Sequence, residues 1–318
     1  MTTFRMIDAN GIKLRAAIQG EGPLVVMVHG FPESWYSWRH QMGPLAAAGF
    51  TACAIDVRGY GGSDKPHPVE AYDIKSITSD VAGVIDALSP NAPAVLIGHD
   101  WGAPIVWNTA LFHPAKVRAV AGLSVPYVGV SARPFLELAD QLFTQQGLFF
   151  YQIYFQDEGV AEAELEANVR DFVRKCFHAW SGQGKWPARK PIGQKLLEGL
   201  EDPNPMPAWM SKADEDYYTA EFERSGFRGP LNRYRNNARD WEQVQSLVGK
   251  KIGQPSLFIA GERDPVLKMF GPVDMVALMR ANAADLRGVH LIANIGHWTQ
   301  QEAPGETTGH LIDWLATL

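Results

Sequence analysis

A five-residue motif at residues 98–102 carries a strong chemical signal. It reads GHDWG, directly after an apolar run at residues 94–97 and directly before a helical pattern that extends to residue 112. Small residues on both sides of Asp100 permit the tight strand-to-helix turn that exposes a nucleophile at the edge of a sheet. Asp also caps helices, but the strand, the flanking glycines and the helix together favour a nucleophile at Asp100.

An Asp nucleophile restricts the reaction. A carboxylate that attacks an sp³ carbon forms an alkyl ester, whereas a Ser at this position would attack a carbonyl carbon. The positive end of the following helix helps to keep the carboxylate of Asp100 ionised. We therefore expect a substrate with an alkyl leaving group and an ester that water must hydrolyse.

Hydrolysis of the ester needs a base, and His297 is the candidate. It follows the last predicted strand and lies after Asp100 in the chain, as a site at the carboxyl edge of a parallel sheet requires. The histidines on helices and loops are expected to be solvated, and His29 and His99 are expected to make structural contacts beside the site. A structural role for His297 is the alternative, and its place in the order of motifs favours catalysis.

A carboxylate should orient the imidazole of His297. Asp264, in the sequence GERDP, follows a late predicted strand and is the candidate. Glu262 and Asp285 compete for this role, and Asp264 is favoured because it lies past the turn with room to reach across. The predicted triad is Asp100, Asp264 and His297.

An oxyanion hole should lie beside the nucleophile. The sequence HGFPE at residues 29–33 follows a predicted strand, where a fold with a nucleophile elbow places part of this hole. Backbone N–H groups of Phe31 and Trp101 would then converge on the oxyanion formed during ester hydrolysis. Alone, the segment could be only a tight turn, but the elbow favours the catalytic interpretation.

These residues require a sheet whose strand ends meet at one edge. Continuous apolar runs, typical of strands buried on both faces of a parallel sheet, alternate with helix-length segments such as residues 77–88 and 101–112. The runs are at residues 24–28, 51–55, 94–97, 117–123, 256–260 and 289–292. We therefore predict a doubly wound α/β fold, with an edge strand at the N-terminus.

The alternation stops between about residues 130 and 253, where helical patterns and aromatic residues replace the strand runs. The aromatic residues are Phe149, Phe150, Tyr151, Tyr154, Phe155, Trp180, Trp186, Trp209, Tyr217, Tyr218, Tyr234 and Trp241. We predict a first part of the core at residues 1–130, a helical cap at residues 131–250 and a second part of the core at residues 251–318. A Gly- and Pro-rich stretch at residues 181–207 is expected to be a long loop across the cap.

Composition excludes several classes of protein. The chain has 318 residues, 46% of them hydrophobic, and 29 Lys and Arg against 35 Asp and Glu give a net charge of −6 without basic clusters. A nucleic-acid partner is therefore not expected, and no apolar run is long enough for a membrane span. Two cysteines are too few for a disulfide framework, and the N-terminus has no apolar signal segment. We predict a cytoplasmic protein.

The motifs together resemble those of the α/β-hydrolase-fold epoxide hydrolases over nearly the whole chain. Besides GHDWG, the matching segments are HGFPESW at residues 29–35, DVRGYGGS at 56–63, YQIYFQ at 151–156 and SGFRGPLNRYR at 225–235. Dehalogenases share the elbow, whereas the last two segments, in the predicted cap, are more specific. The resemblance implies an α/β-hydrolase fold with an inserted cap and an epoxide substrate that water converts to a diol.

The resemblance also implies roles for residues of the cap. Tyr151 and Tyr234 would donate hydrogen bonds to the epoxide oxygen, because a phenol is a neutral donor that can assist a developing alkoxide. Tyr154 is retained as an alternative, since it lies three residues along a helix and nearly on the same face. With Tyr154, we expect Trp101, Phe31 and Trp298 to contact the substrate.

The resemblance implies no metal or organic cofactor, and the expected partners are a small epoxide and water. Aryl or alkyl epoxides are expected, because the aromatic cap predicts an apolar pocket. The preferred epoxide and the oligomeric state are not set by the sequence, and a homodimer remains one option.

Two other functions stay open at this point. A haloalkane or haloacid dehalogenase would use the same Asp100 chemistry, with Trp101 as a halide donor. Phe31 occupies the place where haloalkane dehalogenases carry Asn, and the residues after Asp100 lack the Arg of the haloacid enzymes. A non-catalytic ligand receptor of the same fold is disfavoured because the full set of catalytic residue types is present.

Overall fold

The computed structural model describes residues 1–187, 189–269 and 271–318. In these residues eight strands form one sheet with the spatial order β1-β2-β4-β3-β5-β6-β7-β8. The strands are β1 (Thr3–Ala9), β2 (Ile12–Gln19), β3 (Leu24–Val28), β4 (Thr51–Ile55), β5 (Ala94–His99), β6 (Val117–Leu123), β7 (Ile252–Gly261) and β8 (Ala283–Ile292). β1 and β2 pair antiparallel to their neighbours, and the pairs from β4 to β8 are parallel. The predicted mostly parallel α/β fold is confirmed.

The central strands are buried because helices cover both faces of the sheet. Every residue of β3 is buried, and its side chains alternate between two apolar clusters. Val26 and Val28 belong to one cluster, and Val25 and Met27 belong to the other. This two-sided burial is why continuous apolar runs predicted the strands correctly.

The strand β2 is absent from our sequence prediction. Its residues vary in burial along the strand, so neither an apolar run nor a clean alternation marks it. A usable signal is the turn before it, where Asn10 and Gly11 have φ values of 51° and 78°. An Asn-Gly pair with positive φ at both positions is the usual connection of a two-residue hairpin.

Helices flank the sheet and also form an insertion between β6 and β7. They are α1 (Arg39–Ala47), α2 (Ile74–Leu88), α3 (Gly102–Phe112), α4 (Phe135–Leu142), α5 (Tyr151–Tyr154), α6 (Val160–Ala167), α7 (Val169–Trp180), α8 (Lys212–Ser225), α9 (Arg228–Tyr234), α10 (Asn237–Val244), α11 (Met275–Asn282), α12 (Thr299–Glu302) and α13 (Pro304–Leu315). Among the described residues, no helix has the length and apolar character that crossing a membrane requires.

The helical insertion, α4 to α10, supplies the aromatic side chains above the carboxyl ends of the strands. Phe31 of the loop after β3 contacts Phe155, Phe172 and Tyr234 of this insertion. In its described part, the stretch at residues 181–207 contains no helix or extended strand, which agrees with the expected loop. The boundaries of the cap at residues 131 and 250 stay a prediction.

Candidate active site

Asp100 occupies a strained turn between β5 and α3. Its φ is 50°, a left-handed conformation that non-glycine residues rarely adopt and that costs energy. A Cβ on Gly98 would collide with the backbone of Gly102, and a Cβ on Gly102 would collide with the backbone of Val28. A Cβ on Gly30 would collide with the Asp100 side chain. The glycines around Asp100 are therefore required by the close approach of the chain at this turn.

The structure brings the three predicted triad residues together. His297 Nε2 lies 3.2 Å from Asp100 Oδ2, and His297 Nδ1 lies 3.0 Å from Asp264 Oδ2. Asp264 is fully buried and also accepts a hydrogen bond from the Val266 N–H at 2.9 Å. The imidazole is thus held between two carboxylates, one at the nucleophile position and one behind it.

The competing carboxylates lie elsewhere. Glu262 is exposed, and Asp285 forms an ion pair with Arg287 on the edge strand β8. Neither reaches the imidazole of His297, so Asp264 is the carboxylate whose position fits the orienting role.

Charges in the site favour an ion pair at rest. Burial alone would raise the pKa of the Asp100 carboxyl, but the hydrogen bond and charge of His297 hold this pKa below its usual value. Burial alone would lower the pKa of the His297 imidazole, but the charges of Asp264 and Asp100 and the hydrogen bonds to them raise it to about 10. Near neutral pH, Asp100 is therefore a carboxylate and His297 an imidazolium.

Backbone N–H groups lie beside the Asp100 carboxylate. The Phe31 N–H donates to Asp100 Oδ1 at 2.8 Å. Trp101 occupies the N-cap position of α3, and its N–H has no hydrogen-bond partner among the described residues. These two groups are the predicted oxyanion hole, and the position of Phe31 fits an oxygen attached to the Asp100 carboxyl carbon.

A buried contact between His99 and Glu33 lies beside the triad; a structural contact of His99 was expected there, but Glu33 was not predicted as its partner. His99 Nδ1 lies 2.7 Å from Glu33 Oε2, and His99 Nε2 lies 2.7 Å from the His297 carbonyl oxygen. Each ring nitrogen of His99 therefore has an oxygen partner. Burial would raise the pKa of Glu33, but the charge and hydrogen bond of His99 hold it below its usual value. The signal in the sequence for this contact was Glu33, an acidic residue in the HGFPE segment directly after a buried strand.

This contact holds the backbone of His297 in place. The carbonyl oxygen of His297 accepts from His99 and also from Ser124 Oγ at 2.7 Å. Glu33 accepts further hydrogen bonds from Gly30 N–H at 2.9 Å and Gln300 Nε2 at 2.8 Å. Glu33 thereby connects the loops that carry Phe31, Asp100 and His297.

Two phenols line the same cavity as Asp100. Tyr151 begins α5 and Tyr234 ends α9, and their ring centroids are 6.0 Å apart at an interplanar angle of 78°. Burial raises the pKa of both Tyr151 and Tyr234 well above 10. Both phenols therefore keep their protons near neutral pH and can act as neutral donors.

Of the expected substrate-contacting residues, Tyr154 is the exception. Its hydroxyl donates to Glu164 Oε2 at 2.7 Å, and Tyr154 is not among the described residues that line the cavities at Asp100. Tyr154 lies three residues after Tyr151 on α5, but its hydroxyl is bonded to Glu164 outside these cavities. Phe31, Trp101 and Trp298 do line these cavities.

Two cavities meet at Asp100 and Tyr151. The smaller is lined mostly by aromatic and aliphatic side chains, including Phe31, Trp180 and Trp298. The larger is lined by Trp101 and includes some polar side chains. A molecule with substituents on both sides of its reacting carbon could therefore place one in each cavity.

This fold and site define an α/β hydrolase, and comparison with known proteins agrees: a family described as having the alpha/beta hydrolase fold matches residues 23–304. Epoxide hydrolase A of Mycobacterium tuberculosis (strain ATCC 25618 / H37Rv) is 43% identical over 322 residues, which cover 99% of this chain and 98% of that protein. Epoxide hydrolase 2 of Siraitia grosvenorii is 34% identical, with 97% of this chain and 96% of that protein covered.

Solved structures lead to the same group. The crystal structure of epoxide hydrolase A from Mycobacterium thermoresistibile matches with a TM-score of 0.92 and 42% identity, and covers 99% of this chain and 98% of that one. The chain belongs to the α/β-hydrolase-fold epoxide hydrolase family.

Proposed function

We propose that this protein opens epoxides with water to give vicinal diols, and that Asp100 is transiently esterified in the reaction. One observation carries the proposal. A carboxylate occupies the nucleophile position, and two protonated phenols lie across the same cavity. This arrangement suits attack on an sp³ carbon whose leaving group is an oxygen that needs hydrogen bonds.

In the first step, an oxygen of Asp100 bonds to one epoxide carbon and the bond from that carbon to the ring oxygen breaks. The electron pair of the broken bond stays on the ring oxygen, which takes a proton from a phenol. The depressed pKa of Asp100 keeps the nucleophile ionised, and the hydrogen bond from Phe31 N–H holds one carboxylate oxygen in place. The product of this step is an alkyl ester of Asp100.

Esterification then changes the protonation of His297. The pKa of His297 is raised by the charges of Asp264 and Asp100 together, and the ester removes the charge of Asp100. The imidazolium therefore releases a proton, which balances the proton that the first hydroxyl of the diol took from a phenol. Neutral His297 can now accept a proton from water.

In the second step, water activated by His297 attacks the carboxyl carbon of the ester. The N–H groups of Phe31 and Trp101 would stabilise the oxyanion that forms there. Collapse of this intermediate breaks the bond from the carboxyl carbon to the ester oxygen, and the leaving oxygen takes the hydrogen of the newly added hydroxyl to complete the diol. The oxygen of the added water remains in the Asp100 carboxylate, and its other hydrogen is on the His297 imidazolium.

Isotope labelling tests the covalent step. With excess enzyme in heavy-oxygen water, the diol of a single turnover should initially contain unlabelled oxygen, because the oxygen comes from Asp100. Mass spectrometry of the diol, followed by that of the peptide containing Asp100, measures where the label goes. Immediate full labelling of the diol would mean that water attacks the epoxide directly, and the ester mechanism would be wrong.

The two steps should also differ in pH dependence. Hydrolysis needs neutral His297, so its rate should rise with pH, with an apparent pKa below the value of about 10 in the resting protein because the ester lacks the Asp100 charge. Alkylation needs ionised Asp100, whose pKa is lowered, so the alkylation rate should not show this rise. Single-turnover experiments between about pH 6 and 10 measure both rates, and a hydrolysis rate that falls with pH would contradict the role of His297 as base.

A further inference from the structure

The geometry points to Gln152 as a positioning residue that directs the hydroxyl hydrogen of Tyr151 toward the epoxide oxygen and assists proton transfer from Tyr151. This inference rests on the proposed function, because it assigns a role within the ring-opening step. Gln152 was not among the residues that sequence analysis predicted for the site.

The supporting contact is direct. Gln152 Nε2 donates to the hydroxyl oxygen of Tyr151 at 2.9 Å, although the two residues are neighbours in the chain. The Gln152 side chain is half-buried and lines the larger cavity, which Tyr151 and Asp100 share. The amide therefore belongs to a residue that lines the same cavity as Asp100 and Tyr151.

The backbone of Gln152 is also fixed. Gln156 Nε2 donates to the Gln152 carbonyl oxygen at 2.7 Å and to the Tyr234 carbonyl oxygen at 3.1 Å. Gln156 thus connects the segments that carry the two phenols, whereas the Gln152 side chain contacts only one of them. Gln156 therefore serves as a structural contact for both segments, and Gln152 as a contact specific to the Tyr151 hydroxyl.

The chemistry follows from the hydrogen-bonding capacity of a phenol. A phenol has one hydrogen to donate and an oxygen that can accept. Because Gln152 donates to the oxygen of Tyr151, the hydrogen of Tyr151 is left for the epoxide oxygen. At Tyr234 the side-chain hydrogen bond involves Trp101, so an indole N–H serves one phenol and the Gln152 amide serves the other.

The same contact stabilises the product of proton transfer. As the bond from carbon to the ring oxygen breaks, the ring oxygen takes the Tyr151 proton and negative charge remains on the phenol oxygen. A hydrogen bond to a charged oxygen is stronger than one to a neutral oxygen, so the Gln152 amide favours this state over the starting state. The phenolate regains a proton through solvent after His297 releases one, and the charge is balanced over the cycle.

A double-mutant cycle on the alkylation rate tests the inference. Gln152→Met removes the amide and keeps an unbranched side chain of similar length, and it should slow alkylation of Asp100 by roughly tenfold to a hundredfold, the range for a hydrogen bond to a charged group. In the Tyr151→Phe background the same change should have less than about a twofold effect, because the partner oxygen is gone. In the Tyr234→Phe background its full effect should remain.

Gln156→Met is the matched control. It removes a glutamine amide from the same segment, but one that contacts backbone carbonyls of both phenol segments. Its effect on alkylation should therefore persist when Tyr151 is replaced by Phe. If the effect of Gln152→Met also persists in that background, Gln152 acts only through the fold and the inference is wrong.

Gln152→Glu adds a pH readout. An ionised Glu only accepts hydrogen bonds, so it would capture the Tyr151 hydrogen and turn it away from the epoxide. Alkylation by this variant should fall as pH rises through the pKa of the new carboxyl and recover on acidification, where the wild-type rate is nearly flat. A variant with a wild-type rate and a flat profile would overturn the inference.

The outcomes separate this inference from the proposed function. Should the wild-type protein alkylate Asp100 with an epoxide while Gln152 fails these tests, only the role of Gln152 is lost. If the wild-type protein forms no ester with any epoxide of a styrene-type, terminal and trans-disubstituted panel, the proposed function itself fails.

Discussion

Replacing His297 with Gln should stop turnover while Asp100 continues to be alkylated, so that the ester accumulates. Ring opening needs the carboxylate and the phenols, whereas hydrolysis needs the base. Loss of a general base typically slows its step by roughly two to four powers of ten. The Gln amide can still donate to Asp264, which also keeps its hydrogen bond from Val266 N–H, so we expect the variant to fold.

Intact-protein mass spectrometry measures this effect. After mixing with a styrene-type epoxide, the His297→Gln protein should gain the mass of one epoxide and retain it, whereas the wild-type protein should show the adduct only briefly. Asp100→Ala in the same background is the control and should show no adduct, because it removes the nucleophile. A folded His297→Gln protein that neither alkylates nor turns over would mean that His297 acts before the ester forms.

Replacing both cavity phenols should nearly abolish ring opening. Tyr151→Phe and Tyr234→Phe each delete one donor to the developing alkoxide, and such a loss typically costs on the order of 3 kcal/mol, or about two powers of ten in rate. Each change keeps the ring and its aromatic contacts, so the free energy of unfolding should change little. Pre-steady-state alkylation of Asp100 by a styrene-type epoxide measures the single and double variants.

Tyr154→Phe is the matched control for this prediction. It removes a phenol hydroxyl from the same short helix, but one that donates to Glu164, so ring opening should keep its wild-type rate. Halide release from a simple haloalkane should be measured in parallel. If the Tyr151 and Tyr234 variants alkylate normally, or if the wild-type protein releases halide and leaves every epoxide untouched, the dehalogenase alternative replaces the proposal.

The sequence predicted the part of the site that local geometry determines. Asp100 could be identified because its turn needs small neighbours, a preceding strand and a following helix, and all three leave marks in the sequence. His297 and Asp264 followed from their places after late strands of a parallel sheet. These inferences depend on chain order and not on the details of side-chain contacts.

Contacts between distant residues could not be predicted in the same way. The pairing of Glu33 with His99 joins residues 66 positions apart, and nothing near either residue indicates the partner. Tyr151 and Tyr154 have the same type and nearly the same environment in sequence, and only the position of Glu164 separates their roles. Gln152 was not predicted because the role of an amide depends on its hydrogen-bond partner, and the sequence does not show that this partner is the Tyr151 hydroxyl.

The hydrogen bonds of Glu33 have a further consequence for the order in which contacts form as the protein folds. They connect residue 33 to residue 300, a separation of 267 positions, and closing loops of this length costs entropy before the contacts return any free energy. During synthesis, a chain that has not yet reached β8 has no imidazole for Asp264 and no carbonyl for His99. The contacts among Asp100, Asp264 and His297 therefore form only when the last part of the chain has docked, and a fragment that ends before β8 would leave Glu33 without Gln300.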